Sequence, residues 1–459
     1  MDPEIKFLEI NLSSAPREFG HHPDFWKDFD GHWAKIEEYR ENNQKEKFLE
    51  QFGGQEIPIE DFYNPLHPNV FLIPRNRYFI IDDSIGTVRM TFPFSSTDIY
   101  IDVDETKGVF CDIYKTAAFN RLNGISQLGY LVLPKPEELK NYVEIVYADP
   151  PFKHTRWMHS ILTAAILDVV LARNGFSIKE RASLVLIFAC HDIATPAGGD
   201  SVKRVDPQNL DEELNFSWLL KHWGLDKKWK KEFGFDLVFA QSVVENVGLF
   251  GELLDVIDKI AYTALDCFAV GSMRSGKIRD LCMANPLVMD IWQDIKFSPD
   301  KKSFTFSDPE RLFNFLLLRA YEFQELLFNP QARGLDLFLK DLVQPLYDKG
   351  VITKEQLLTQ DDYWLRHILE EYYPEKMRSC IEPDFLSSRK FKTLKEQKRF
   401  MAKIGNRFDH AEHLSEFSSG LDWRVLSGIP LREAISKEKI KLLEEVVAST
   451  QGYYVYYQT

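Results

Sequence analysis

His191 and Asp192 stand side by side at the end of an apolar run, Leu184 to Cys190. A neighbouring imidazole and carboxylate can bind one metal ion, or one ion each in a pair. Such an ion makes a nucleophile of water near neutral pH. The dipeptide alone has a plainer reading. A histidine at a helix C-terminus is favoured by the helix dipole, and the aspartate then starts a loop. Two further residues change the balance. His159 lies upstream in Arg156-Trp157-Met158-His159, and Asp258 lies downstream in Val256-Ile257-Asp258-Lys259. Two imidazoles and two carboxylates from three helical segments suit a catalytic metal, which needs few protein ligands and open positions for water and substrate. Mixed nitrogen and oxygen donors fit manganese, iron, zinc, cobalt or nickel better than calcium and do not choose among them. Magnesium could join as a companion ion. His154, close to His159, reads as a loop residue outside the ligand set.

The segment that carries Asp258 adds a polar stripe. Asp258, Tyr262 and Asp266 are spaced i, i+4, i+8 among Leu253, Leu254, Ile257, Ile260, Ala261, Ala264 and Leu265. A solvated helix face would look similar. The narrowness of the stripe favours a cleft, with one carboxylate on the metal and the others toward a substrate.

These side chains need helices to hold them. In Trp157 to Ala172 the positions Leu162, Ile166 and Val170 share one stripe, and Gly175 ends the segment. Lys179 to His191 is a second helix, with Ala182, Val185, Leu186 and Ala189 at helical spacing. Ile193 to Asn209 carries Pro196, Gly198, Gly199 and Pro207 and reads as a loop. Leu210 to His222 and Leu253 to Phe268 are helical. Leu312 to Phe328 is apolar and buried, and Asn329-Pro330 breaks it. Upstream, Tyr78 to Ile81, Val88 to Phe94 and Tyr100 to Val103 read as strands, with Ser84-Ile85-Gly86 as a turn. The expected architecture is mostly α: residues 1–104 with a hairpin or small sheet, a helical catalytic core over 105–350, and a helical region over 351–459. Gly452 to Tyr457 is an edge-strand candidate.

Composition narrows the function classes. The 459 residues are 44% hydrophobic and 14% aromatic, enough for a large core and about two to four domains. A net charge of −14 disfavours nucleic acid as the main partner, since polyanion binders show a basic face. A local basic pocket for one phosphorylated molecule remains compatible with it. The five cysteines are scattered and form no Cys-x-x-Cys, which fits a reducing compartment. The acidic start, Met1-Asp2-Pro3-Glu4, has no apolar signal core, and no run of about 18 apolar residues could span a bilayer. A soluble, cytoplasmic protein is expected.

The order His … His-Asp … Asp resembles the metal-binding signature of the HD phosphohydrolase superfamily. More of the chain resembles its deoxynucleoside triphosphate triphosphohydrolase branch. Ala118-Phe119-Asn120-Arg121-Leu122 followed by Ile125-Ser126-Gln127-Leu128-Gly129 is similar to that branch's Phe-x-Arg-Leu … Ile-x-Gln-Leu-Gly. Arg156-x-x-His159-Ser160, Ile257-Asp258-Lys259-Ile260-Ala261-Tyr262 with Asp266-Cys267, and Arg319-Ala320-Tyr321 match further segments, so the likeness covers roughly residues 105–345. It implies an HD-domain helical core. It implies that His159, His191, Asp192 and Asp258 bind metal and that Arg156 and Lys259 contact phosphates. Gln127 and Leu128 would touch the sugar or base. Tyr262 would crowd the 2′ position, Asp266 would accept from the 3′-hydroxyl, and Tyr321 would line the pocket. A nucleotide substrate, a nucleotide effector and a homo-oligomer are implied as partners.

One departure matters. After His-Asp the family continues Gly-His-x-Pro-Phe-x-His, whereas this chain reads Ile193-Ala194-Thr195-Pro196-Ala197-Gly198-Gly199-Asp200. Thr195 and Asp200 replace two histidines that are proton-transfer candidates. Expulsion of a 5′-alkoxide benefits from a general acid. An exposed aspartate is a poor one unless burial raises its pKa. Asp200 and Glu213, with Asp192 at the metal, are the catalytic candidates, and Asp206 and Glu212 are further substitutes. Solvated loop acids would look the same. The expected reaction is cleavage of a dNTP to deoxynucleoside and triphosphate. The alternatives are hydrolysis of a monophosphate, cyclic nucleotide or alarmone, and a nucleotide sensor with reduced catalysis.

Overall fold

The computed structural model describes residues 80–82, 87–91, 98–102, 108–133, 155–267, 276–285, 287–328, 330–380, 386–404, 409–414 and 417–458. It is mostly helical, with three small antiparallel sheets. The first sheet has the order β1 (Ile80–Asp82), β2 (Thr87–Thr91), β3 (Asp98–Asp102), and Val88 lies opposite both Ile81 and Ile101. The expected turn at Ser84 to Gly86 and the loop residue His154 lie outside the described residues.

Helix α1 (Arg156–Arg173) begins at Thr155, whose side chain accepts from the Met158 amide. Every residue from Arg156 to Asp168 is buried. The apolar stripe seen in the sequence is therefore only part of a surface covered all round, because α2 (Ile178–Cys190) and the long α5 described below pack against it. A capping box formed by Ser177 and Glu180 starts α2, and His191 caps its end. The segment after Asp192 is not wholly a loop, as expected from its prolines and glycines. It contains the short helix α3 (Gly199–Lys203), which Gly198 enters at φ 81°. Asp211 caps α4 (Glu212–His222) by accepting from the Leu214 amide at 3.0 Å. Asn246, at φ 58°, turns the chain into α5 (Gly248–Asp266).

A two-stranded hairpin, β4 (Ile295–Phe297) and β5 (Phe304–Phe306), precedes α6 (Pro309–Glu322). Asp308 caps α6 and Pro309 occupies its first turn, where a missing N–H costs nothing. The apolar run to Phe328 does not continue as one regular helix. A π turn, Phe323–Leu327, follows Glu322. Next come α7 (Pro330–Asp348), a short helix at Lys354–Thr359, and α8 (Asp362–Tyr372). The C-terminal part adds β6 (Leu386–Phe391), α9 (Leu394–Ile404), β7 (Asp409–Leu414), α10 (Lys437–Thr450) and β8 (Gly452–Gln458). Here β8 is the central strand, in the order β6-β8-β7, not the edge strand expected from the sequence. Strand pairing is set by contacts 40 to 70 residues away in the chain, and the local pattern carries no trace of them.

One apolar cluster runs from Val109 through α1, α2, α5 and α6 to Leu443 and Val447 of α10. A second joins Val132 and Leu133 to Ala197, Val202, α7 and α8. Among the described residues no single helix is long and apolar enough to cross a membrane. Cys190, Cys267, Cys282 and Cys380 are free thiols, all buried.

Candidate metal centre

Three helices bring the four expected ligands together. His159 sits one turn into α1, His191 and Asp192 end α2, and Asp258 lies midway along α5. His159 Nε2 is 3.2 Å from His191 Nε2, 2.8 Å from Asp258 Oδ1 and 3.6 Å from Asp192 Oδ2. His191 Nε2 is 3.2 Å from Asp258 Oδ1 and 3.8 Å from Asp192 Oδ1. Donors about 2.1 Å from one ion are separated by roughly 3.0–3.4 Å, so these spacings fit a transition-metal ion. The buried group His159, His191 and Asp192 could hold a metal.

The electrostatics ask for a positive charge at the same point. Burial works against a charged His191, yet Asp192 and Asp258 outweigh it and lift its pKa to about 9. Burial also opposes ionisation of Asp192 and Asp258. Arg156 and His191 hold Asp192 below its ordinary value, and the two histidines hold Asp258 well below. His191 Nδ1 lies 2.7 Å from the Phe188 carbonyl. Donation there fixes the ring and leaves the Nε2 lone pair facing the ligand group. His159 Nδ1 is buried with no hydrogen-bond partner, so packing and the Nε2 contacts orient that ring.

A cavity of about 290 Å³ opens above the ligands. His191, Asp192 and Asp258 line it, with His159 just beneath the floor. Gln127, Leu128, Arg156, Tyr262 and Asp266 also line it, as do Asp200, Glu212 and Glu213. The polar stripe of α5 is therefore a cavity wall and not a solvated helix face. The Tyr262 hydroxyl is pinned by Arg319 Nε at 2.6 Å. Near Asp266 lies Glu322, a fully enclosed carboxyl whose pKa burial, and then Asp266 itself, push well above the usual range.

Arg156 is occupied at both ends of its fork: Nη1 bonds Asp192 Oδ2 at 2.9 Å and Nη2 bonds Asp200 Oδ2 at 2.8 Å. Asp200 also pairs with Lys203 at 3.2 Å. These cations overcome the burial of its carboxyl and hold it well below the usual range, although its side chain is 57% exposed. That corrects the expectation of a loop aspartate raised enough to donate a proton. Glu212, bonded to Lys203, differs. Burial comes first, with Asp200 and Asp192 adding repulsion, and its pKa rises to about 7 despite the lysine. Burial raises Glu213 as well. Asp206 stands apart, bonded to Asn209 and Tyr347.

Two expected contacts are not brought to the cavity. Lys259 turns to Asp255 and lies 5.8 Å from the Trp423 ring centre. It follows Asp258 directly, and neighbours on a helix point about 100° apart. Tyr321 packs under Lys277, 5.5 Å from its ring centre. The lining residues that sequence reasoning missed are Val244, Asn246, Leu254, Asp255, Phe323 and Leu327. Asn246 carries a weak signal, since asparagine tolerates φ > 0 next to a glycine helix start.

No protein-family model matches the chain, and no curated protein matches it in sequence. Solved structures share its fold. A hypothetical protein from Aquifex aeolicus is 15% identical with a TM-score of 0.58, covering 81% of this chain and 96% of its own. A phosphohydrolase from Bacteroides thetaiotaomicron is 16% identical with a TM-score of 0.56, covering 81% and 99%. At these identities the likeness establishes the fold.

Proposed function

We propose that this protein is an HD-type, metal-dependent phosphohydrolase that cleaves deoxynucleoside triphosphates to deoxynucleoside and triphosphate. The observation that carries the reading is one cavity lined by His191, Asp192 and Asp258, with His159 in contact with them, beside Arg156 and the Tyr262–Asp266 wall. The phosphohydrolase that shares the fold supports the same reading at a coarser level. His159, His191, Asp192 and Asp258 would hold the ion, which when bound polarises the phosphoester and activates water.

The chain's own groups do the rest. The Arg156 guanidinium, kept charged by Asp192 and Asp200, is a bidentate donor suited to phosphate oxygens. The Tyr262 ring, immobilised through Arg319, leaves no room for a 2′-hydroxyl, and Asp266 accepts from the 3′-hydroxyl.

Asp200 holds the Arg156 donor that a phosphate needs. Its exposed carboxylate then competes with substrate. Asp200→Asn is expected to lower KM by up to about five-fold, the worth of an exposed ion pair, and to leave kcat within about two-fold. A kcat loss of roughly a hundred-fold instead would make Asp200 a proton donor.

Chromatography of products from each dNTP with the manganese-loaded protein tests the reaction. Deoxynucleoside plus triphosphate is expected. Release of orthophosphate or pyrophosphate would reassign the chemistry to another nucleotide phosphohydrolase. A second reading, a nucleotide sensor with reduced catalysis, draws on Thr195 and the ionised Asp200 standing where the resembling family has histidines. Tight dNTP binding without turnover would select it.

A further inference from the structure

Helices carry the ligands, and two connecting segments hold other residues of the cavity wall, the first by presenting two of them and the second by joining two of them. One is Ile125 to Gly129, which presents Gln127 and Leu128. The other is Ile193 to Gly199, which leads from Asp192 to Asp200. Both end on the same side chain. Asp362, the first residue of α8, accepts from the Ser126 amide through Oδ2 at 2.8 Å and from the Gly198 amide through Oδ1 at 2.8 Å. The two segments also touch directly. A Cβ on Gly129 would lie 2.2 Å from the Gly198 carbonyl oxygen, so their backbones meet with no room for a side chain.

The residues around Asp362 extend the tie. The Ala197 amide donates to the Leu357 carbonyl at 2.8 Å. Arg121 Nη2 donates to the Ile193 and Thr195 carbonyls at 2.7 and 2.8 Å, and its Nη1 donates to Gln360 at 2.9 Å. Asp362 itself is 7% exposed among the apolar residues of α7 and α8. Burying a carboxylate there is costly, and an apolar residue would pack without that cost. What only aspartate supplies at this length is two acceptor oxygens in one plane, one for each amide.

We propose that Asp362 is a positioning residue: its carboxylate fixes the distance between the Gln127–Leu128 segment and the Asp200 segment, and thereby the width of the cavity that takes the nucleotide. This rests on reading the cavity as a nucleotide site. It assigns a role in that site to a helix about 100 residues beyond the last proposed ligand, Asp258.

Two variants separate the outcomes. Asp362→Asn keeps the shape but has one acceptor, and its NH₂ must face one of the two amides. Asp362→Ala frees both. Amide hydrogen exchange is expected to show lost protection at one of Ser126 and Gly198 in Asp362→Asn and at both in Asp362→Ala. Titration of each dNTP into the manganese-loaded proteins should show affinity weakened roughly ten-fold for Asp362→Asn and further for Asp362→Ala. Metal content should match the wild type. Leu443→Ala, a core truncation in α10, controls for general destabilisation: it should lower the thermal midpoint and leave dNTP affinity unchanged.

Unchanged exchange at Ser126 and Gly198 would overturn the tie, whether or not nucleotide binds. Lost protection with unchanged dNTP affinity would overturn positioning and leave a purely structural bond. Failure of the wild type to bind any dNTP would sink the nucleotide reading and, with it, a role in setting a nucleotide's fit. The exchange result would then decide only whether the tie exists.

Discussion

The His191→Ala, Asp192→Ala double variant is expected to purify without the transition metal that the wild type is expected to bind, and to lose turnover by roughly a thousand-fold or more. The ligand group is built around a cation. Two carboxylates and two imidazoles point at one another within 3.8 Å, and without an ion a proton on His191 must stand in for it. Several kcal/mol of phosphoester activation disappear with the ion, which is the source of the turnover estimate. A second measurement follows from the proton. The folded pKa of His191 is raised from 6.5 to about 9, so the stability it adds is fully present below about pH 6.5 and lost as pH rises through about 9. Metal-free protein should therefore weaken across that window, while metal-loaded protein, whose imidazoles are neutral ligands, should not. The gap in thermal midpoint between manganese-loaded and EDTA-treated protein should widen from pH 6.5 to 9. Elemental analysis and paired melting curves check this. Equal metal in wild type and double variant, or a gap that does not change with pH, would remove the assignment.

The parts of this site legible in the sequence are those fixed by local spacing. The i, i+4, i+8 stripe on α5 depends only on helical period, and the cavity wall runs along it, whereas the ligand order was legible through its resemblance to a known signature. Side chains one position off the stripe are another matter. The resemblance implies Lys259 on the phosphates, but adjacency on a helix separates side chains, and Lys259 reaches Asp255 and Trp423 instead. Phe323 and Leu327 enter the wall because the π turn shifts the register after Glu322, and an apolar run does not disclose such a shift. The bond from Asp362 to Ser126 spans 236 residues. No local pattern encodes it. Charge was the least legible property. Asp200 in α3 and Glu212 at the start of α4 are both acids on one cavity wall, and only their neighbours push the pKa of one down and of the other up.

That contrast yields the second large effect. The proposed cleavage at the α-phosphorus would leave a 5′-alkoxide that needs a proton, and where the resembling family has its loop histidines this chain has Thr195 and Asp200. Asp200, held ionised by Arg156 and Lys203, has no proton to give near neutral pH. The Glu212 carboxyl lies in the same cavity with a pKa raised to about 7, chiefly by burial, so a large share of molecules carry its proton at working pH. Glu212→Gln is expected to lower kcat by roughly 10²–10⁴-fold while metal content and KM change little. The pH profile gives the sign. A donor must be protonated, so wild-type kcat should fall as pH rises through about 7, and occupancy of the ligand ring by a cation moves that limb lower. In Glu212→Gln the limb should be absent. Lys203, bonded to both Glu212 and Asp200, offers the internal control. Lys203→Met removes the cation that opposes burial at Glu212, so the limb should shift to higher pH if Glu212 is the donor and stay in place if it is not. A Glu212→Gln enzyme with unchanged kcat would reduce Glu212 to a tether for Lys203 and would return the search for the acid to Glu213 on the same rim.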